Sequence, residues 1–152
     1  MANTHDQITQ GLMTYVEKTQ DQSVIGEAAL LYRSVADAYL SMVQPLEVCE
    51  LAFPSMIIRS DIRASAFVAI FPTRVIIAWR KGSFRKRTEH VEIQRSKITK
   101  ANWHVSQKAS TRGATLFEIV AGETTTFALP QGATKAADII KQALTLADST
   151  AS

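Results

Sequence analysis

The sequence has little of what builds covalent cross-links or membrane anchors. It contains one cysteine, Cys49, so an intrachain disulfide is excluded and a reducing compartment is expected. Its longest apolar runs, at 66–72 and 75–79, are interrupted by polar residues, and neither approaches the roughly 20 residues of a membrane-spanning helix. Residues 1–10 are polar and do not resemble a signal segment. We therefore expect a soluble, cytoplasmic protein.

Catalytic motifs are also missing. The six glycines form neither a GxxxxGKS/T phosphate loop nor a GxGxxG turn, and no GxSxG nucleophile elbow is present. The three histidines are scattered and Cys49 has no second cysteine, so no zinc site is predicted. We interpret Cys49 as a small core residue. The prediction is a protein that is not an enzyme, needs no metal or cofactor, and has no evident small-molecule substrate.

The charge that is present is unevenly placed. Residues 1–50 carry seven acidic and two basic side chains, whereas residues 51–112 carry thirteen basic and three acidic ones. The net charge of +3 therefore conceals an electropositive middle region that would attract a polyanion. Two interpretations stay open: the acidic residues lie across the basic region and neutralise it, or the basic region faces an outside partner.

Helical periodicity organises the first 45 residues. Residues 4–19 are predicted as a first helix that begins with a capping box of Thr4 and Gln7. A second helix is predicted from Val24 to Val43, with apolar residues on more than one side. The first helix could cover the extra apolar strip, or a second copy of the chain could. For the second case the predicted self-association residues are Leu30, Tyr39 and Leu40.

From Leu46 onward the pattern alternates as in strands. A first strand is predicted to end before Pro54, followed by a long connection at residues 55–63. Residues 66–79 then form a hairpin whose strands are apolar throughout, which is typical of strands covered on both faces. Further strands are predicted up to Leu129, about seven in all, before a final helix at 133–147. The predicted organisation is a helical extension at 1–45, a strand domain with its C-terminal helix at 46–147, and a polar tail at 148–152.

Three segments carry a family resemblance. Residues 66–79, AFVAIFPTRVIIAW, resemble the bacterial pleckstrin-homology-like (PH-like or GRAM-like) pattern of two apolar strands around a short TDRR-type turn. The turn here lacks the Asp and one Arg of that pattern. Residues 94–105, QRSKITKANWHV, resemble the following S-K-I-T segment, and residues 115–147 resemble the terminal hairpin and capping helix. The resemblance, over about residues 46–147, implies an α+β fold: a seven-stranded antiparallel barrel or sandwich capped by a C-terminal helix.

The resemblance also implies a binding module for phosphoinositides, other anionic surfaces, peptides or copies of itself. In eukaryotic members the lipid pocket uses a K-x(n)-[KR]-x-R arrangement between the first strands. Here that connection offers only Arg59 and Arg63 with Asp61 between them. We predict a second anion patch at Arg59, Arg63 and Lys100.

The sharpest functional signal is a run of cations at residues 80–87, named here the basic turn. Its predicted contact residues are Arg80, Lys81, Phe84, Arg85, Lys86 and Arg87. A solvated turn that guards the neighbouring strands would have the same composition. An acidic protein or the chain itself, an anionic membrane, and nucleic acid are the possible partners, with nucleic acid the least favoured. We predict a non-enzymatic binding or assembly module that acts by protein–protein interaction or self-association, with peripheral membrane binding as the alternative.

Overall fold

The computed structural model describes residues 3–82 and 87–151. Two helices come first, seven strands follow, and a third helix ends the chain, as predicted. The elements are α1 (Thr4–Thr19), α2 (Val24–Met42), β1 (Leu51–Arg59), β2 (Ile62–Ile70), β3 (Arg74–Lys81), β4 (Arg87–Gln94), β5 (Lys100–Val105), β6 (Thr115–Ala121), β7 (Glu123–Leu129) and α3 (Thr134–Ala151). No helix in these described ranges is long and apolar enough to cross a membrane.

The N-cap of helix α1 lies one residue earlier than predicted. The side chain of Asn3 accepts a hydrogen bond from the backbone N–H of Asp6 at 2.9 Å, so Asn3 is the N-cap and the predicted capping box was wrong. The amide of Gln7 is instead buried and donates to the carbonyls of Gln44 and Glu47, at 2.9 and 2.5 Å. Gln7 thereby holds the segment that leads from α2 into β1.

The strands form one antiparallel sheet in the order β4-β3-β2-β1-β7-β6-β5. The predicted long connection at 55–63 was wrong, because β1 continues to Arg59 and turns directly into β2. Pro54 lies inside β1, opposite Phe67 of β2. It is tolerated because β1 pairs with β7 only from Met56 to Ile58, so no strand requires the missing N–H.

Both faces of the β2–β3 hairpin are buried, as its continuous apolar sequence predicted. One face, including Val68, Ile70, Val75 and Ile77, belongs to the core between the sheet and α3. The opposite face belongs to a second core with α1 and α2, whose buried members include Phe67, Ala69, Ile76, Val35 and Tyr39. The N-terminal helices therefore dock on the sheet. A methyl group at Gly11 of α1 would collide with Sγ of Cys49, which shows how closely α1 approaches the chain before β1.

Helix α3 closes the other side of the sheet. The indole Nε1 of Trp103 on β5 donates to Asp138 of α3 at 2.8 Å, and Lys141 of α3 donates to Asn102 of β5 at 3.2 Å. Helix α3 continues to Ala151, through the residues predicted as a polar tail from 148. The segment after Gly132 contains no glycine or proline, so nothing in the sequence ends the helix at 147.

Candidate interaction surfaces

The basic turn joins β3 to β4. The structure describes three of its predicted contact residues, Arg80, Lys81 and Arg87. The other three, Phe84, Arg85 and Lys86, lie outside the described residues. Lys81 and Arg87 are exposed and stand directly opposite each other in the β3–β4 register. Two like charges on paired positions of an antiparallel ladder repel each other, so this end of the hairpin is built at a small electrostatic cost.

Helix α2 meets the basic turn at its base. Arg80 Nη1 donates to the backbone carbonyl of Ser34 at 3.4 Å, and Thr88 Oγ1 donates to Asp37 Oδ1 at 2.8 Å. Arg87 Nε lies 2.7 Å from Glu89 Oε1 on its own strand. The sequence left two interpretations, in which the basic region is covered by the acidic segment or faces a partner, and each describes a part of the turn. Helix α2 holds the base of the turn, while Lys81 remains exposed to solvent.

The predicted second anion patch is split by the strand order. Arg59 ends β1 and forms an ion pair with Glu123 at 2.6 Å, which neutralises its guanidinium. Arg63 starts β2 and is exposed. Lys100 begins β5, which β7 and β6 separate from β1. The three cations therefore do not share one surface, and Arg59 is already paired within the protein.

Arg63 instead lines a groove of about 620 Å³ that is formed mainly by β5, the segment after β5 and β6. The other polar residues of the groove include His104, Ser106, Lys108 and Glu118. His104 Nδ1 lies 3.5 Å from Glu118 Oε1, and the Glu118 carboxyl lines the same groove as the cations Arg63 and Lys108. The groove has mixed charge and does not form a dedicated anion pocket.

The predicted self-association residues divide between surface and core. Leu30 and Leu40 of α2 are 68% and 53% exposed. Tyr39 is fully buried, and its hydroxyl donates to the carbonyls of Phe67 at 2.5 Å and Ile76 at 3.1 Å. The prediction that Tyr39 belongs to a self-association surface was wrong. Its spacing from Val35 places it on the inward stripe of α2, and its hydroxyl is satisfied there.

An apolar groove of about 510 Å³ runs between α1 and α2 beside this face. Its apolar lining comes from Ile8, Leu12, Met13, Ile25 and Tyr32, among others. At its rim, His5 Nδ1 and the Tyr32 hydroxyl are 2.8 Å apart. Burial raises the pKa of Tyr32 to about 12, with a smaller contribution from Cys49. Tyr32 is therefore a neutral phenol at physiological pH, and Arg33 contributes a positive charge to the lining of the groove.

Arg74, at the other end of β3 from the basic turn, is mostly buried and was not predicted as a functional residue. Arg74 binds Glu47 through two hydrogen bonds of 2.9 and 2.8 Å, and donates to the carbonyl of Met42 at 2.6 Å. Partial burial raises the pKa of Glu47, but the hydrogen bonds from Arg74 and the Gln44 N–H and the Arg74 charge outweigh it, leaving the pKa below its ordinary value. The hydrogen bond with Glu47 in turn raises the pKa of Arg74. This pair fastens the end of α2 to the sheet.

Arg95, in the 3-10 turn Arg95–Lys97 after β4, is buried with only 4% exposure. Its guanidinium donates to Glu50 at 3.0 Å, to the carbonyl of Phe71 at 2.7 Å, and to the carbonyl of Ala143 on α3 at 2.6 Å. Arg95 therefore ties α3, the β2–β3 turn and the start of β1 together. The only sequence signal for either arginine is the polar interruption of the 66–79 apolar run at Arg74.

Cys49 is not placed as a reactive thiol, and the described side chains form no metal-binding cluster. Cys49 is buried, and burial, with the nearby Glu50 charge, raises the pKa of its thiol to about 12. Such a thiol is protonated at physiological pH and is a poor nucleophile. Within residues 3–82 and 87–151, no three His, Cys, Asp or Glu side chains converge as a metal site requires.

Comparison with known proteins addresses the fold. Neither a protein-family model nor a curated protein sequence matches the chain. Among solved structures, Vav1 with an allosteric inhibitor is similar at 9% identity and TM-score 0.51, over 82% of this chain and 34% of that one. The activated truncation of Vav1 gives 9% and 0.51, over 95% and 36%. A pleckstrin homology domain from Shewanella amazonensis gives 15% and 0.45, over 67% and 85%.

Sequence identities this low show similarity of fold alone. With seven antiparallel strands in the order described and a C-terminal helix closing the sheet, the chain has a PH-like fold, as its sequence resemblance implied. The helices α1 and α2, which the resemblance did not include, cover the outer face of its first strands.

Proposed function

We propose that the chain is a non-enzymatic PH-like assembly module that binds a second copy of itself through the outward face of its N-terminal helices. The observation that supports this is where the exposed apolar side chains lie. Seven large hydrophobic residues are exposed in the described parts of the chain, and five of them belong to the first 50 residues. The five are Met13, Leu30, Leu40, Leu46 and Val48.

The inward side of α2 cannot supply this interaction, because it is already used. Ala28, Val35 and Tyr39 are fully buried against the sheet. Burying one leucine side chain is worth about 1.5–3 kcal/mol, so leaving both Leu30 and Leu40 in water forgoes a considerable stabilisation. A partner with an apolar face of its own would recover it. A second copy of the chain offers such a face, and we propose a cytoplasmic assembly on the same grounds as the sequence prediction.

The experiment is to replace both leucines by an acid, Leu30→Glu with Leu40→Glu, and to measure mass by light scattering across micromolar concentrations. The wild-type mass should rise with concentration. The double variant should stay monomeric, because association would bury two carboxylates of each copy. The matched control is Val105→Glu, since Val105 is also an exposed apolar residue but lies on β5. A wild-type protein that is monomeric throughout, or a double variant that assembles like wild type, would contradict the proposal.

A second candidate function, peripheral binding to an anionic membrane, is favoured by one observation at the basic turn. Lys81 and Arg87 are paired across the hairpin end, where like charges repel, although Arg87 also contacts Glu89 on its own strand. An anionic surface would relieve that repulsion and bind each cation by about 1 kcal/mol. We rank this candidate second, because α2 already contacts Arg80 and Thr88 at the base of the turn.

A further inference from the structure

We propose that two copies associate by packing α2 antiparallel against α2 of the partner, around a two-fold axis at the level of residue 35. This inference rests on the proposed function and specifies how its surface pairs. It comes from the order of side chains along the exposed stripe of α2, which repeats symmetrically about that position.

The stripe has the spacing of a coiled-coil seam. Gly26, Leu30, Arg33, Asp37 and Leu40 are separated by steps of four, three, four and three residues, and all five are exposed. Positions spaced in this way lie along one line of a helix and face a partner helix. Val35, on the opposite side of α2, is fully buried against the sheet. The seam is therefore the part of α2 that the fold itself leaves uncovered.

The seam is also self-complementary when it is read in reverse. Antiparallel packing about residue 35 places Leu30 opposite Leu40 of the second copy, and Arg33 opposite its Asp37. The two-fold axis repeats both pairs, so one association would bury four leucines and form two ion pairs. Parallel packing would instead place Arg33 against Arg33 and Asp37 against Asp37. The charges therefore select the antiparallel arrangement.

Arg33 and Asp37, the charged residues of the seam, each have hydrogen-bonding groups available for these ion pairs. Among the described residues, Arg33 has no hydrogen-bond or ion-pair partner, although Asp37 lies one helical turn away. Asp37 accepts from Thr88 through Oδ1, which leaves its Oδ2 for a guanidinium. In the dimer, Arg33 would bind Asp37 of the second copy, and Asp37, which Thr88 holds in place, would bind the Arg33 of that copy.

Gly26 at the start of the seam is consistent with close approach of another helix. A Cβ at Gly26 would meet no atom within 4 Å in the monomer, and its backbone is helical. Glycine within a helix is less stable than alanine by about 1 kcal/mol, and nothing near it in the described chain compensates for that. In the antiparallel pair, Gly26 faces the chain just beyond Leu40 of the partner, where a small residue lets the backbones approach.

The seam is short, which sets the expected affinity. Fifteen residues of helix span about 21 Å. A helix pair of that length buries less than a standard interface, so a dimer with a dissociation constant in the micromolar range is expected.

Charge reversal tests the pairing directly. Arg33→Asp puts acid against acid, and Asp37→Arg puts base against base, so each variant alone should dimerise at least about tenfold more weakly than wild type. Mixing the two variants should restore a dimer, because each position of one then faces its opposite charge in the other. The double variant Arg33→Asp with Asp37→Arg should dimerise by itself. Sedimentation velocity on the separate and mixed proteins measures all four cases, and thermal unfolding checks that each is folded.

Thr88→Val is the matched control for Asp37→Arg, since it removes the hydrogen bond to Asp37 without changing charge. It should dimerise like wild type. If folded Arg33→Asp and Asp37→Arg proteins dimerise like wild type, or stay monomeric when mixed, the two-fold pairing is wrong. Should Leu30→Glu with Leu40→Glu still abolish assembly in that case, the proposed function stands without this geometry. A monomeric wild-type protein would remove both.

Discussion

The two ends of β3 carry cations in opposite settings. At its start, Arg74 is 14% exposed and is bound by Glu47 and the carbonyl of Met42, and the backbone N–H of Arg95 donates to the carbonyl of the neighbouring Thr73. At its end, Lys81 points into solvent opposite Arg87, which is 72% exposed. In the sequence the second end stands out as a dense run of cations, whereas Arg74 at the first end is a single charged residue in an apolar segment. The difference teaches that a dense run of charge marks a surface, whereas isolated arginines in apolar surroundings hold the fold together.

The largest effect should follow from removing the most buried arginine. Arg95→Ala leaves the carbonyls of Phe71 and Ala143 without their donor and opens a cavity, so we expect a loss of about 2–4 kcal/mol of unfolding free energy. Urea denaturation measures it. Lys97→Ala, in the same 3-10 turn but exposed, should change stability by less than about 0.5 kcal/mol. Equal effects of the two variants would contradict the structural role assigned to Arg95.

A smaller, pH-dependent effect is expected at Glu47. Glu47→Gln breaks the two-bond contact with Arg74 and should cost about 1–2 kcal/mol at neutral pH. Because the folded-state pKa of Glu47 is lowered, its contribution is complete above the carboxyl's unfolded pKa and disappears as the pH falls through the folded value.

The unfolding free energies of wild type and Glu47→Gln should therefore converge in acid. Glu17→Gln, a change at an exposed carboxylate of α1, should show no such gap at any pH. A constant difference between Glu47→Gln and wild type from neutral to acid pH would mean that the charge of Glu47 is not what stabilises this end.

The smallest effect on stability is expected at the basic turn. Lys81→Glu places an acid directly opposite Arg87 and should raise stability by no more than about 0.5 kcal/mol, because the pair is solvated. The same protein, and separately Arg85→Glu with Lys86→Glu, should be tested by co-sedimentation with phosphatidylserine vesicles. If the turn binds membranes, sedimentation falls by about tenfold or more. Binding that is unchanged in both variants would leave the turn as a solvated hairpin end.

The fold was largely predictable because its signals are local. The apolar β2–β3 hairpin, the positive φ of Gly122 in the β6–β7 turn and the periodicity of three helices all come from neighbouring residues. The errors arose where one residue type has two uses. Pro54 suggested the end of a strand, yet β1 accommodates it beside a gap in its pairing with β7. Thr4 and Asn3 are both good caps, and the backbone geometry selected Asn3.

The candidate surfaces were less predictable because burial is a long-range property. Leu30 and Leu40 were correctly placed on an outward side of α2, since helical phase alone separates them from Val35. Tyr39 was assigned to the same surface, but its hydroxyl reaches carbonyls on β2 and β3 that lie 28 and 37 residues away. The split of Arg59, Arg63 and Lys100 among strands likewise depends on the sheet order.

By itself the sequence determined that this chain has a run of strands, including a hairpin covered on both faces, with helices before and after them, because hydrophobic periodicity depends only on adjacent residues. The tertiary structure alone decided which charges are internal. Glu47 with Arg74 and Glu50 with Arg95 pair across 27 and 45 residues, and nothing local distinguishes these arginines from those of the basic turn. It also decided that the sheet covers only one side of α2, since a helix on a sheet contacts it along one face and leaves the opposite stripe to solvent or to a partner.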